Sequence, residues 1–377
     1  MGSIHLFRYS LAATLLLCCF SAFSQTDTLK RSRVRIGYAE SDETVMSGKA
    51  DMVTEEKMNK GLVKNSLDAL SGRSAGVSIT KGNSAAMLNT VRVRGTTSLT
   101  GGNDPLVIID GVSSDLATLN TIYPADIESF TILKDASETA QYGSRGASGV
   151  IEVQTKKGNG GVFRISYDGT FGFESAYKFL PMLDGKGYRR AAAAQGISIL
   201  DRGYDTNFQK EISRTGTVQN HHIAFGGGSE TASYRASVGM MDHRTVIRTN
   251  NYHTYIAKLD ISQKAFDNHL TVDLGVFGSL QKNNQLPFMQ KLIYSAQTFN
   301  PTFPEEANAD GRYDQVTEAI WINNPNSLLR MKQDEDNGHF NIHMSATVQL
   351  MENLRMKAFG SYSYSTENNA HYYPTFV

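Results

Sequence analysis

Thiols are almost absent from this 377-residue chain: its two cysteines are the neighbours Cys18 and Cys19. Both fall within residues 1–25, which read as an export signal peptide. Arg8 is the one charge there, the run from Leu11 to Phe20 is apolar, and Ala22 and Ser24 supply small residues before Gln25. The run is shorter than the roughly 20 residues a membrane-crossing helix needs. Leu15, Leu16 and Leu17 ahead of Cys18 also lack the small residue of a lipoprotein signal. With the leader removed, no disulfide, thiolate nucleophile or cysteine metal ligand remains. An exported chain without disulfides must draw its stability from core size, a membrane or a partner.

An excess of either charge is missing too. Lys and Arg number 37 and Asp and Glu 37; losing Arg8 with the leader leaves 36 against 37, a net charge of −1. No basic surplus points to a nucleic-acid partner. Beyond the leader there is no long uncharged apolar run of the kind a membrane helix requires. Tryptophan is scarce, at 1, beside 17 Tyr, 18 Phe and 33 Gly. That balance suits strands with close backbone approach and a ring-rich apolar face; a soluble antiparallel sandwich shares it.

Signatures of catalysis or cofactor binding are lacking as well. His221 and His222 are adjacent, so on a strand they point to opposite faces and cannot share one ion without a bulge. His243 follows Asp242 at an expected hairpin end, where solvated turn residues are the ordinary case. The glycine-rich stretch Gly143 to Gly149 follows a helix and precedes a strand, the reverse of a phosphate loop. Asp110 and Arg145 suggest an internal ion pair, but a pair alone makes no acid–base dyad. The sequence therefore predicts no enzyme, no metal and no cofactor.

Residues 26–60 are polar and read as extended, with a short alternating segment Val34, Arg35, Ile36, Gly37, Tyr38. That segment would serve as a first strand of the following unit or add to the edge of a partner's sheet. Residues 61–158 read as a compact α/β unit. Leu67 and Leu70 share a face of a short helix stopped by Gly72. Val91 and Val93 alternate with Arg92 and Arg94, whose shared face would be solvated or grip an acidic surface. Leu106 to Ile109 reads as a strand covered on both sides, closed by Asp110 and Gly111. After the strand Ile127 to Leu133, Asp135 is expected to N-cap a short helix, with Glu138 reaching back. The helix ends near Tyr142 and Gly143, and a crossover then leads through Gly146 and Gly149 to the strand Val150 to Thr155.

Period-2 alternation governs residues 159–377. Phe163, Ile165, Tyr167, Phe171 and Phe173 share one side, opposite Arg164, Ser166, Asp168 and Thr170, as in a strand between lipid and lumen. Similar stretches run over 217–225, 232–240, 252–263, 269–281, 340–350 and 354–366, and many match the ~9 to 11 residues of a tilted crossing. Turns are expected at Gly226 to Ser229, Ala265 to Asn268 and Met351 to Asn353. Inserts near 180–215 and 287–336, the second carrying Trp321, would be outer loops for ligand or partner contact.

Several pieces together resemble the SusC/RagA family of TonB-dependent outer-membrane transporters. They are Leu70 to Val77, Val91 to Gly95, Pro105 to Val112, Leu133 to Ser137 with Lys134 and Asp135, and Tyr142 to Ile151. The resemblance implies a mixed α/β plug domain followed by antiparallel transmembrane β-barrel strands. On it, Arg92, Arg94, Asp110, Gly111, Lys134, Asp135, Tyr142, Gly143, Arg145, Gly146 and Gly149 become structural residues of the plug. It further implies import of oligosaccharides or peptides beneath a SusD-like lipoprotein, driven by TonB, ExbB and ExbD. The TonB contact would be Val34 to Tyr38, with Arg35 departing from the apolar residue usual there. Seven strands are fewer than the about 22 of a plugged transporter, so the expected barrel is incomplete in this chain. A receptor that binds or signals without transport, a truncated non-functional fragment and a soluble β-rich surface protein are the alternatives.

Overall fold

A computed structural model describes residues 51–80, 90–316, 322–351 and 354–374, together with the backbone of 33–36 and 39–42. The first strands, β1 (Arg33–Ile36) and β2 (Ala39–Asp42), pair antiparallel as a sheet of two. Residues 26–60 are thus not simply extended: β3 (Asp51–Thr54) already belongs to the compact unit, ahead of its expected start at 61. Val34 to Ile36 pairs with β2 and is no strand of that unit.

A second pair, β4 (Val77–Thr80) and β5 (Thr90–Val93), stands beside a sheet that includes β6 (Leu106–Ile109), β7 (Val112–Ser114), β8 (Ile127–Leu133) and β9 (Val150–Thr155). The order in this sheet is β3-β8-β9-β6-β7. Apolar residues occupy both faces of β8 and β9, which bury them between neighbours as interior strands require. The helix Ser66–Leu70 is capped by Asn65, whose side chain accepts the Asp68 amide at 2.9 Å, and Gly72 leaves it at φ +72°. Leu67 and Leu70 join Phe130, Ile132, Leu119 and Ile151 in one core.

Two local expectations fail. The passage from β8 to β9, through the helix Ala136–Thr139 and the 3-10 stretch Ala140–Gly146, is no parallel crossover, because β9 returns antiparallel to β8. The parallel pair is β6 with β9. Asp135 stands at the N-cap position, but its carboxylate caps nothing and instead lies 2.6 Å from the Arg94 guanidinium. An ion pair with a guanidinium has displaced a bond to a backbone amide.

Seven long strands follow: β10 (Gly161–Glu174), β11 (Gly216–Gly228), β12 (Ala232–Arg244), β13 (Asn251–Ala265), β14 (Leu270–Gln285), β15 (Lys332–Met351) and β16 (Leu354–Tyr372). They form an antiparallel meander in sequence order, unclosed, with β10 and β16 at its edges. Gly226, Gly227 and Gly228 lie inside β11 rather than in a turn; a Cβ on Gly226 would come within 2.8 Å of the Tyr234 carbonyl oxygen across the pair. The turn after β13 is where expected, with Phe266, Asp267 and Asn268 all at positive φ. Met351 ends β15; Glu352 and Asn353 lie outside the described residues. The connections β11–β12, β13–β14 and β15–β16 fall at one end of the sheet, and the inserts and the short link from Thr245 to Asn250 fall at the other.

The outward face has a sharp chemical boundary. Met240, Tyr255 and Leu280 are cross-strand neighbours in one row, and the next row holds Asp242, His253, Lys282, Asp336 and Asn368. His253 Nδ1 and an Asp242 carboxylate oxygen lie 2.8 Å apart in that row. Below the boundary the outward residues are apolar, Val238, Leu259, Phe340, Met344 and Tyr362 among them. From Leu270 to Leu280 a strand climbs about 34 Å at its usual rise. With a tilt of ~40° this gives a height of about 26 Å, matching the ~25 Å apolar band of a membrane barrel.

The inserts are not separate loops. Tyr204 and Thr206 of the first donate backbone hydrogen bonds to Thr302 and Pro301 of the second, at 3.1 and 2.8 Å. Phe208 meets Phe299 edge to face at 5.1 Å, Phe299 meets Phe303 at 5.2 Å, and Leu292 and Leu328 complete a second core. The helix Met289–Thr298 supplies Leu292 and Ala296 to this core, beside the short helices Phe208–Glu211 and Pro325–Leu328. The second insert is shorter than expected, because β15 already begins at Lys332.

Candidate functional site at the contact between the small domain and the long sheet

The inner face of the long sheet is largely polar, and the small domain sits against it, with Met241, Ile256 and Phe277 of the wall joining the small domain's core. The deepest point of contact is Asp126, which ends the 3-10 turn Pro124–Asp126 and is 1% exposed. The helix Leu116–Thr121, capped by Asp115 at the Thr118 amide, delivers the turn to the sheet. Three donors from β11 and β12 converge on the carboxylate: His222 Nε2 at 2.8 Å, Arg235 Nη2 at 2.8 Å and Ser237 Oγ at 2.7 Å. Burial alone would raise the Asp126 pKa; the bonds and charges from His222, Ser237 and Arg235 outweigh it and hold the value at about 2.

Tyr123 forms the other half of this seat. Its ring stacks on His222 with centroids 4.5 Å apart, and its hydroxyl donates to Asp168 of β10 at 3.0 Å. Burial, then the neighbouring Asp168, pushes the phenol's pKa well up, so it stays a donor. Gly239 makes room for this stack, since a Cβ there would lie 3.2 Å from the Tyr123 ring.

Two further contacts flank the seat. Lys64 pairs with Glu174, which also accepts from His243 Nε2 at 3.0 Å, and Asn220 donates to the Val63 carbonyl at 2.9 Å. His243 is therefore buried against a carboxylate, not a solvated turn residue as its place beside Asp242 suggested. On the other flank, both oxygens of Asp110 accept from Thr155, from its amide at 3.0 Å and its hydroxyl at 2.6 Å. The expected pairing of Asp110 with Arg145 does not form. Asp110 is buried toward Lys258 and Asp260 of β13, while Arg145 lies exposed on its 3-10 stretch.

Most other residues singled out from the sequence tie the small domain to itself. Arg92 bonds Asp104 at 2.5 Å and Arg94 bonds Asp135, so neither grips the wall. Lys134 reaches Asp51 at 2.8 Å and the Ala75 carbonyl. Burial would raise the Asp51 carboxyl, but Lys134 and Ser74 bring it below its ordinary value. The Tyr142 hydroxyl donates to Glu152 at 2.9 Å. Gly111, Gly143 and Gly149 hold positive φ, and a Cβ on Gly149 would strike Val93 at 2.8 Å. A Cβ on Gly146 would lie 2.8 Å from the Thr139 carbonyl oxygen. Gly37, Tyr38 and Trp321 lie outside the described residues. Sequence reasoning missed Asp126, Tyr123, Arg235 and Ser237. The parity of β11 and β12 places His222, Arg235 and Ser237 inward, but nothing local names their partner 96 to 111 residues away.

Residues 43–150 match the family described as the TonB-dependent receptor plug domain. TonB-dependent receptor SusC of Bacteroides thetaiotaomicron is 32% identical, over 89% of this chain and 37% of its own length. TonB-dependent receptor P3 of Formosa agariphila is 29% identical, over 89% of this chain and 34% of its own. The chain thus spans about a third of the length of these curated relatives. Among solved structures, the RagAB peptide importer in its open-open state superposes with a TM-score of 0.77 at 22% identity, covering 90% of this chain and 43% of that one. Its closed-closed state gives 0.75 at 23%, covering 87% and 42%. These superpositions show the fold, and the relatives are receptors and importers, not enzymes. With a plug match at one end and a lipid-banded wall at the other, the chain belongs to the SusC/RagA kind of TonB-dependent receptor, proteins of the outer membrane.

Proposed function

We propose that this chain supplies the plug and the first barrel strands of a TonB-dependent importer of oligosaccharides or peptides, working with a SusD-like lipoprotein partner. The observation that carries the proposal is the character of the plug's seat. Asp126, Glu174 and Asn220 hold it through hydrogen bonds and ion pairs. Bonds of this kind exchange for water with small net cost as a plug shifts, which leaves the apolar contact of Met241, Ile256 and Phe277 with the plug core as the part that resists. Val34 to Tyr38 would be the segment on which TonB, driven by ExbB and ExbD, pulls. Its described part, β1, is paired on one edge only among the described residues, which leaves an edge for strand addition. The fused inserts would form part of the outer surface where ligand and lipoprotein meet, with Trp321 in the second insert as a contact residue.

The test deletes residues 34–38 from the full-length protein in cells given a defined oligosaccharide or peptide mixture as sole carbon source. Growth should fail while surface binding of labelled ligand persists. Unchanged growth would refute the import role of this segment, and lost binding would point to misassembly.

A further inference from the structure

We propose that the chamber between the plug turn at Asp110 and the inner wall is a divalent transition-metal site that fastens the plug to the barrel. Three side chains would hold the ion: Asp110 of the plug, Asp260 of β13 and His343 of β15. Each offers a donor atom, and these atoms lie within 4.8 Å of one another. All three side chains are buried and line a cavity of about 30 Å³, room for an ion or a water.

The wall is shaped for this meeting. Gly275 on β14 is the cross-strand neighbour of both Asp260 and His343, so the two ligands flank a residue with no side chain. A Cβ there would strike His343 Cε1 and Nε2, so the ring occupies the space the glycine leaves. His343 Nδ1 faces Asn341 Oδ1 at 3.4 Å, the outer-shell arrangement that turns Nε2 toward a metal. Thr155 fixes both Asp110 oxygens, and each keeps a further lone pair. Two carboxylates and one imidazole, without thiolate, suit Zn²⁺, Mn²⁺ or Fe²⁺, with water completing the shell.

The chamber already holds a cation of its own. Lys258 lines it and contacts Asp260. Lys258 is thus a tethered competitor that a divalent ion displaces. Because ligands come from both plug and wall, the ion binds the seated plug best and holds it seated.

The experiment strips the full-length detergent-solubilised protein with chelator and titrates it with zinc chloride by calorimetry. Wild type should take up one ion at this site, His343→Gln should bind about tenfold more weakly, and Lys258→Met should bind about tenfold more tightly. Zinc should also slow hydrogen exchange in the plug turn at Asp110 to Val112. Equal zinc affinity in all three proteins, or no zinc binding by Lys258→Met, would overturn the proposal. Lys258→Met removes no ligand, so it decides the matter even if His343→Gln fails to assemble. Neither readout depends on transport, so the result stands apart from the fate of the import role.

Discussion

The plug sheet and the wall sheet are built from similar residues turned opposite ways. In the plug, Phe130 and Ile132 of β8 are fully buried, and the few polar residues of its interior strands, such as Thr131 and Glu152, are buried with them. In the wall, Phe163 and Tyr362 are exposed by 53% and 61%, while Asp260, Ser237 and Lys258 are buried on the other face. Alternation alone does not say which face is the interior; the surroundings decide. Lipid accepts apolar side chains as a protein core does, and a polar plug satisfies the carboxylates and hydroxyls that the inner face presents. The wall therefore has its core on the outside, and the plug supplies what water would otherwise provide.

That contrast can be broken by experiment. Phe130→Ala should have the largest effect, about 3–5 kcal/mol, because it empties a packed interior. Urea unfolding followed by hydrogen exchange in β8 and β9 would measure it, and a loss below about 1 kcal/mol would mean that the plug core is not packed as described. Leu259→Lys, near the middle of the outward band, should cost about 2–4 kcal/mol when the protein folds into lipid vesicles. An unaffected yield and stability there would place that face away from lipid. Acid should act next, through Asp126. Its folded pKa of about 2 lies below the ordinary 3.8, so its stabilising effect is complete above about pH 4 and is lost as the pH falls toward 2. The shift corresponds to about 2 kcal/mol. Melting temperatures recorded from pH 5 down to pH 2 should show it, and Asp126→Asn should flatten that slope; an unchanged slope would mean that other carboxylates govern the seat.

Alternation made the seven strands legible, and turn chemistry marked the hairpin at Phe266 to Asn268. What stayed hidden had physical causes. The start of β15, from Lys332 to His339, is polar on both faces because it rises above the lipid band, so no alternation marks it as a strand. The glycines of β11 resemble a turn in sequence but serve a close approach of neighbouring chains. Asp135 looks like a helix cap until Arg94, distant in sequence, claims its carboxylate. Asp126 looks like any acid beside a proline. Its importance comes from three donors on two remote strands, and pairing across such distances leaves no local trace.

The shared core of the two inserts bears on how this structure is made. Phe208 follows β10 and precedes β11, whereas Phe299, Phe303 and Leu328 lie between β14 and β15. In chain order, four more strands, β11 to β14, separate the apolar residues of the first insert from those of the second that cover them. Once they join, the cap spans the sheet from β10 to β15 like a brace across a bow, fixing the chord between strands that hydrogen bonds alone would leave free to flex. The cap thus couples the first of these strands to the sixth, so curvature across the sheet is set jointly rather than pair by pair.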